Sequence, residues 1–238
     1  MNKIPNKIIA FESLNSTSDY LISLYKESNV TQNFIVVTTH QNKGRGRRKK
    51  TWFSDNNSLT FSFSFELTDN MNSWILSMAV SLALLRLLLE NRVKAIIKYP
   101  NDILFKKKKI AGILTESIVV NNRQYCVIGV GLNVNNKMFP KDIMSPISLK
   151  QIISKSLNQD SLLRSFFAHL DSIIHNNNLI KDYTRNLYGF NRFIPCLYRD
   201  SFLRIKILSV DQNGFLKILT ESSSIKTVRH EKISFLTS

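Results

Sequence analysis

Sulfur, glycine, proline and negative charge are all scarce in this chain. Its 238 residues include two cysteines, seven glycines and five prolines, and 17 acidic residues stand against 33 lysines and arginines. Cys126 and Cys196 lie far apart and outside any CxxC spacing, which excludes a disulfide framework and a thiolate metal centre and leaves them as reduced core residues. His40, His169, His175 and His230 are scattered without metal-ligand spacing, so no structural metal is expected. No uncharged apolar run of about 18 residues exists, Arg86 interrupting the stretch from Trp74 to Leu89, so no membrane span is expected. The first residues carry no signal-like apolar core, and a cytoplasmic location is expected. No Ser-His-Asp set, Cys-His set or carboxylate pair stands out, which points away from nucleophilic catalysis and toward electrostatic chemistry.

The apolar share is 43% and the formal charge is +16, so the chain has material for a sizeable core and a strongly basic surface. Lysine, asparagine and isoleucine are abundant throughout, and this background bias accounts for most of the excess charge. The remainder suits an acidic partner or a polyphosphate.

The hydrophobic pattern predicts strands at Lys7 to Phe11 and Phe34 to Thr39, with a helix from Thr17 to Ser28 between them, capped by Ser16 or Thr17. Gln41 to Asn57 has no period and reads as a loop. Leu59 to Leu67 alternates phenylalanine with serine, a period-two strand whose Leu59, Phe61, Phe63, Phe65 and Leu67 face inward. Ser73 to Asn91 reads as a long apolar helix capped by Asn72 or Ser73. A strand at Lys94 to Tyr99 ends at Pro100. Ile103 to Phe105 and Ile110 to Val119 read as a hairpin turning at Lys106 to Lys109, and Tyr125 to Val134 pairs back after an Asn121-Asn122 turn. Helices are predicted at Ser148 to Leu157 and Ser161 to Leu187. After Tyr188 the texture changes to four or five short strands broken by Arg199-Asp200, Asp211-Gln-Asn-Gly214 and Glu221-Ser-Ser-Ser224, which suggests a small barrel. The expected division is residues 1–187 and 188–238.

Four segments carry the chemistry. Lys43 to Trp52 is a basic loop in which Gly44 and Gly46 permit close backbone approach while Arg45, Arg47 and Arg48 offer forked donors for phosphate and carboxylate oxygens. It is not a P-loop, because Lys49 stands where the second glycine would be and no helix follows Thr51. A basic run of this kind also suits a nucleic-acid patch. Asn101 and Asp102 follow a strand and a proline, either as a simple turn or as side chains presented at a strand end. Lys109 precedes an apolar strand containing Gly112, where a glycine marks close approach of a ligand or backbone; it equally suits a solvated turn lysine. Asn133 follows Gly129 and Gly131 in a buried-looking strand, so it is a core amide or a ligand contact. In series, the four describe a site for an anionic, nucleotide-like ligand.

Leu14-Asn-Ser-Thr-Ser18, the Gln41 to Trp52 loop, Lys98-Tyr-Pro-Asn-Asp102, Lys109-Ile-Ala-Gly-Ile-Leu-Thr-Glu116 and Gly129 to Asn133 together resemble the biotin–protein ligases, in family order and over nearly the whole chain. The resemblance implies an α+β fold: a mixed sheet flanked by helices, related to class II synthetase catalytic domains, with a C-terminal SH3-like β-barrel. It implies a two-step activity on biotin and ATP with Mg2+: formation of biotinyl-5′-AMP, then transfer to a lysine of a biotin carboxyl carrier protein, that of acetyl-CoA carboxylase by default. Ser16, Thr17, Gln41, Gly44, Arg45, Lys109 and Gly112 would bind biotin. Arg47, Lys50, Trp52, Asn101, Lys109 and Asn133 would bind ATP or the adenylate. Lys109, Arg45, Arg47 and Asp102 would carry the catalysis, with magnesium held by the nucleotide and no protein metal site. The pattern departs at Lys49 and Lys50, where the family commonly has glycine and arginine, and at Tyr99, where it commonly has tryptophan. With no room before Lys7 for a helix-turn-helix, a monofunctional enzyme without DNA binding is expected, as monomer or homodimer. The competing expectations are a lipoate or octanoate ligase, and a basic RNA-binding protein.

Overall fold

The described residues of the computed structural model are 4–5, 7–28, 32–69, 71–199 and 201–236, the side chains of Ser28 and Lys49 excepted. In chain order they form β1 (Lys7–Leu14), α1 (Thr17–Ser28), β2 (Phe34–Gln41), β3 (Ser58–Glu66), α2 (Ser73–Glu90), β4 (Ile96–Lys98), β5 (Asp102–Phe105), β6 (Lys108–Val120) and β7 (Arg123–Asn133). Then follow α3 (Leu149–Ile153), α4 (Gln159–Ile174), α5 (Leu179–Arg185), β8 (Phe193–Tyr198), β9 (Ser201–Val210), β10 (Leu216–Thr220), β11 (Ile225–Val228) and β12 (Ile233–Phe235).

The first seven strands make one sheet in the order β1-β2-β3-β7-β6-β5-β4. Only the β1–β2 pair is parallel, so the sheet is mixed and the fold is α+β as expected. β3 lies in its interior, between β2 and β7, and both of its faces are buried. Phe61 and Phe63 pack against Phe166 and Phe167 of α4, with the Phe61 and Phe166 rings 5.1 Å apart, and Phe65 is buried beside Phe63. On the opposite face Ser58, Thr60, Ser62 and Ser64 are buried too, covered in part by α1, whose Tyr25 hydroxyl lies 2.8 Å from Ser64 Oγ. Polar residues in a buried strand must find partners, and these sit beside the functional site.

α2 is long and apolar enough to cross a membrane by length and composition. Here it is the core helix: its residues from Leu76 to Leu84 are all buried against the sheet and the other helices. Asn72 caps it, its side chain accepting from Ile75 N at 2.9 Å. The helix expected from Ser161 to Leu187 is two helices, because Asn176 and Asn178 break it: Asn176 donates to Asp182 and accepts from Asn178 N. The helix expected from Ser148 to Leu157 is shorter as well, ending at a left-handed Ser154.

The five C-terminal strands form a separate antiparallel sheet, β11-β10-β9-β8-β12. Asp200, in the expected Arg199-Asp200 turn, lies outside the described residues. Tyr99 joins the two sheets. Its ring stacks on Trp74 at 6.0 Å, meets Phe235 edge-on, and its hydroxyl donates to Gly214 O at 2.5 Å. Tyr99→Phe would keep the packing and strip the donor from a buried carbonyl, so it is expected to lower unfolding free energy by about 1–3 kcal/mol. Urea denaturation checks this; an unchanged midpoint would mean that the carbonyl finds another donor.

Candidate active site

The site begins with strand register. Directly opposed residues in antiparallel strands share a face. One row across the sheet runs Lys98, Asp102, Gly112, Gly131, Thr60, Thr38. The next row on that face includes Leu114, Gly129 and Ser62. Glycines therefore fall side by side on neighbouring strands and leave bare backbone where side chains would stand. A Cβ at Gly131 would lie 2.6 Å from Trp52 Nε1, and one at Gly112 would lie 3.2 Å from the Trp52 ring and from Lys109 Nζ. Trp52 thus lies along a glycine-floored trough. Its Nε1–H is buried and unpartnered among the described residues, an unused donor of the kind that accepts a ligand contact.

One end of the trough is neutral and polar. Gln41 Oε1 accepts from Thr17 N at 2.9 Å and from Thr17 Oγ1 at 3.2 Å. Thr17 Oγ1 and Ser18 Oγ lie 2.7 and 2.9 Å from Ser62 Oγ. Ser16 caps α1, its Oγ accepting from Asp19 N at 3.3 Å. Gly44 packs so tightly that an added Cβ would lie 2.9 Å from Gln41 Nε2. Ser16, Thr17, Gln41 and Gly44, all expected at a biotin-type ligand, are brought together.

The other end is cationic. Lys109 Nζ lies 2.7 Å from Asp102 Oδ1 and 5.4 Å from the Trp52 ring centroid. Asn101 accepts from Arg47 at 3.2 Å and donates to Ile113 O at 2.9 Å. Burial is the main influence lowering the Arg47 pKa, with Arg48 adding to it. Lys98 belongs to this cluster although no role was expected for it. Burial lowers its pKa, Asp102 raises it, and Lys109 and Lys50 lower it again. Its signal was the register opposite Asp102, which no reading of spacing alone supplies. Lys98, Lys109 and Arg47 gathered near Asp102 form a place for an anion of more than one charge.

Several expectations change. Lys109 is not in a turn: the turn is Lys106-Lys107, both at positive φ, and Lys109 sits within β6 opposite Leu104, beside an irregular step that follows Ile103. Arg45 is not free to grip phosphate. Its Nε and two terminal nitrogens donate to Asp19 and Glu116 at 2.5–2.9 Å, and these bonds push its pKa further up. Asn133 spends its amide on Lys109 O and Ile147 O, at 3.3 and 3.0 Å, so it reaches the site by holding the Lys109 backbone. Lys50 is exposed, and its carbonyl accepts from Gly46 N. The Lys49 side chain lies outside the described residues.

Known proteins resemble this chain in sequence and in fold. The profile of the biotin/lipoate A/B protein ligase family matches residues 10–133. Biotin–protein ligase 2 of Arabidopsis thaliana is 32% identical over 170 residues, 67% of this chain and 50% of the relative. The bifunctional ligase/repressor of Bacillus subtilis is 33% identical over 136 residues, 56% of this chain and 40% of the relative. The chain spans about half or less of the length of these curated relatives. Among solved structures, the biotin protein ligase from Aquifex aeolicus in complex with biotin and ATP superimposes with a TM-score of 0.79 at 24% identity, covering 98% of this chain and 99% of that one, a likeness of fold. With the family profile matching over half of its residues, the chain belongs to the biotin/lipoate A/B protein ligase family.

Proposed function

We propose that this chain is a biotin–protein ligase, activating biotin with ATP and passing it to a lysine of a biotin carboxyl carrier domain. The trough carries the reading: a polar clamp at one end, a bare glycine floor under an aromatic lid, and clustered cations at the other. The Thr17–Gln41–Ser62 end suits the ureido ring, whose N–H and C=O groups need hydrogen-bond partners. A lipoyl or octanoyl chain offers no such groups, which favours biotin over the other acids of the family. The Arabidopsis relative and the superimposed Aquifex structure are both named as biotin–protein ligases, which supports the same choice.

In the first step the biotin carboxylate attacks the α-phosphate of ATP in line, forming the P–O bond of biotinyl-5′-AMP as pyrophosphate leaves. Lys109 lies between the carboxylate and the phosphate, where charge grows during attack. Arg47, which donates to Asn101, holds the phosphate. Trp52 packs on adenine and offers its unused N–H. In the second step the carrier lysine attacks the mixed anhydride and AMP leaves. That amine must first lose a proton, since lysine titrates near about 10.4; Asp102, beside Lys109, orients it. Among the described residues no group of three His, Cys, Asp or Glu side chains could cage a metal. Asp102, the carboxylate at the cationic end beside Lys109, is already paired with that lysine, so Mg2+ would arrive on the triphosphate, which commonly carries that ion, and would neutralise its charge. Residues 1–187 would be the catalytic unit and residues 188–238 an SH3-like module, a division supported by the two separate hydrogen-bonded sheets.

Biotin-dependent exchange of labelled pyrophosphate into ATP tests this, with lipoate and octanoate in parallel. Exchange with biotin alone is expected. Folded protein that exchanges with none of the three acids would overturn the assignment.

A further inference from the structure

We infer that Asp19 and Glu116 form a two-carboxylate clamp on Arg45, which holds the stem of the basic loop and so keeps Trp52 over the ligand trough. This rests on the ligase reading for its ligand, but the clamp itself is geometric. Arg45 donates to Asp19 through Nε and Nη2, and to both oxygens of Glu116 through Nη1 and Nη2. Paired bonds of this kind fix direction as well as distance. The two acids come from different parts of the rigid body, Asp19 from the first turn of α1 and Glu116 from β6. One guanidinium therefore ties the loop to the helix that carries Thr17 and to the strand that carries Lys109 and Gly112.

The loop is a small hairpin, which transmits that anchorage. Arg45 bridges Thr51, Trp52 N donates to Gly44 O at 2.9 Å, and Gly46 N donates to Lys50 O at 2.6 Å. Fixing Arg45 on one arm fixes Trp52 on the other. Beyond the stem the hold weakens: Arg47 reaches Asn101 at 3.2 Å, and Arg48 reaches Glu231 O at 3.4 Å. A firm stem and a loosely held tip allow the tip to admit ligand while Trp52 stays in register. The clamp also keeps a third arginine off the phosphate, so Arg45 is a positioning residue rather than a catalytic one.

The variants are Asp19→Asn and Glu116→Gln together, with Arg45→Gln as a second route that leaves both acids to solvent should the double variant fail to fold. Two readouts separate the clamp from the ligase reading. In the first, a non-hydrolysable biotinyl-adenylate analogue is displaced by excess biotin and its release is followed by tryptophan fluorescence. Release is expected to speed up about tenfold or more, since such changes fall mainly on the off-rate, while the maximal exchange rate at saturating biotin and ATP stays within about threefold. General damage to the fold would lower the maximal exchange rate as well as speed release. In the second, trypsin cleavage after Arg47, Arg48 or Lys50 in the free protein is expected to accelerate. Unchanged release together with unchanged cleavage would overturn the clamp. Wild-type protein that does not bind the analogue would count against the ligase reading alone, because the trypsin assay needs no ligand and still decides the clamp.

Discussion

Lys109→Ala is expected to abolish measurable biotin-dependent pyrophosphate exchange while leaving the protein folded. Lys109 is about one-third exposed and lies at the end of a strand pair rather than in the core, so its removal leaves no cavity of consequence. Its ammonium lies beside Asp102, the Trp52 ring and the Gly112 floor. Losing one well-placed charge-stabilising donor at a reacting centre slows chemistry by about 10²–10³-fold. A second effect adds to the first. Without Lys109, Asp102 loses its hydrogen-bonded counter-charge and keeps only Lys98 and Arg47 nearby, so more of its negative charge opposes the incoming phosphates. The double variant Lys109→Ala/Asp102→Asn separates the two. If repulsion dominates, exchange recovers part of the way; if the lost donor dominates, it stays down. Exchange at the wild-type rate in Lys109→Ala would remove Lys109 from the reaction altogether.

Much of this arrangement was legible in the sequence, and the gaps have physical causes. Helix α1 was bounded correctly because a serine cap and an apolar face both marked it, and α2 because its length exceeds any strand. The Phe/Ser alternation of β3 was read correctly as a strand, but alternation implies only two different faces. It does not say that the serine face meets a buried site instead of water. That depends on α1 and Trp52 covering it, which is tertiary information. The break at Asn176 was invisible to periodicity because apolar residues continue at helical spacing on both sides. Spacing also misplaced Lys109 into a turn, because four consecutive lysines look alike until the φ angles of Lys106 and Lys107 assign the turn to those two. The pairing of Arg45 was hidden for a similar reason. Sequence shows an arginine in a basic loop, but not the two carboxylates, 26 and 71 residues away, that claim it. Lys98 shows the converse: it opens the Lys98 to Asp102 motif without an assigned role, and only the hairpin register sets it beside Asp102.

Gly131→Ala is expected to weaken biotin binding about a hundredfold, the scale on which small displacements in a site act, with the fold intact. β7 lies between β3 and β6 and is hydrogen-bonded on both sides, so its backbone cannot retreat to admit a methyl group. The added Cβ would overlap the Trp52 indole, and either the ring leaves or the trough closes. Gly131 has no positive φ, so alanine brings no backbone strain there, and such a change can even stabilise a protein by about 0.4–1 kcal/mol through the unfolded state. Lost binding at an undiminished melting temperature is therefore the expected pattern, read by calorimetric titration with biotin and a thermal melt. Gly112→Ala supplies the contrast. Its Cβ would stand 3.1–3.2 Å from the flexible end of Lys109 and the Trp52 edge, and Lys109 can swing away. Binding should then change less than about tenfold, because the lysine end adapts, while exchange falls because the lysine no longer sits where charge develops. A Gly131→Ala protein that binds biotin as the wild type does would place the ligand somewhere other than this trough. Equal effects of the two substitutions on binding would show that the floor, and not the position of Lys109, sets both steps.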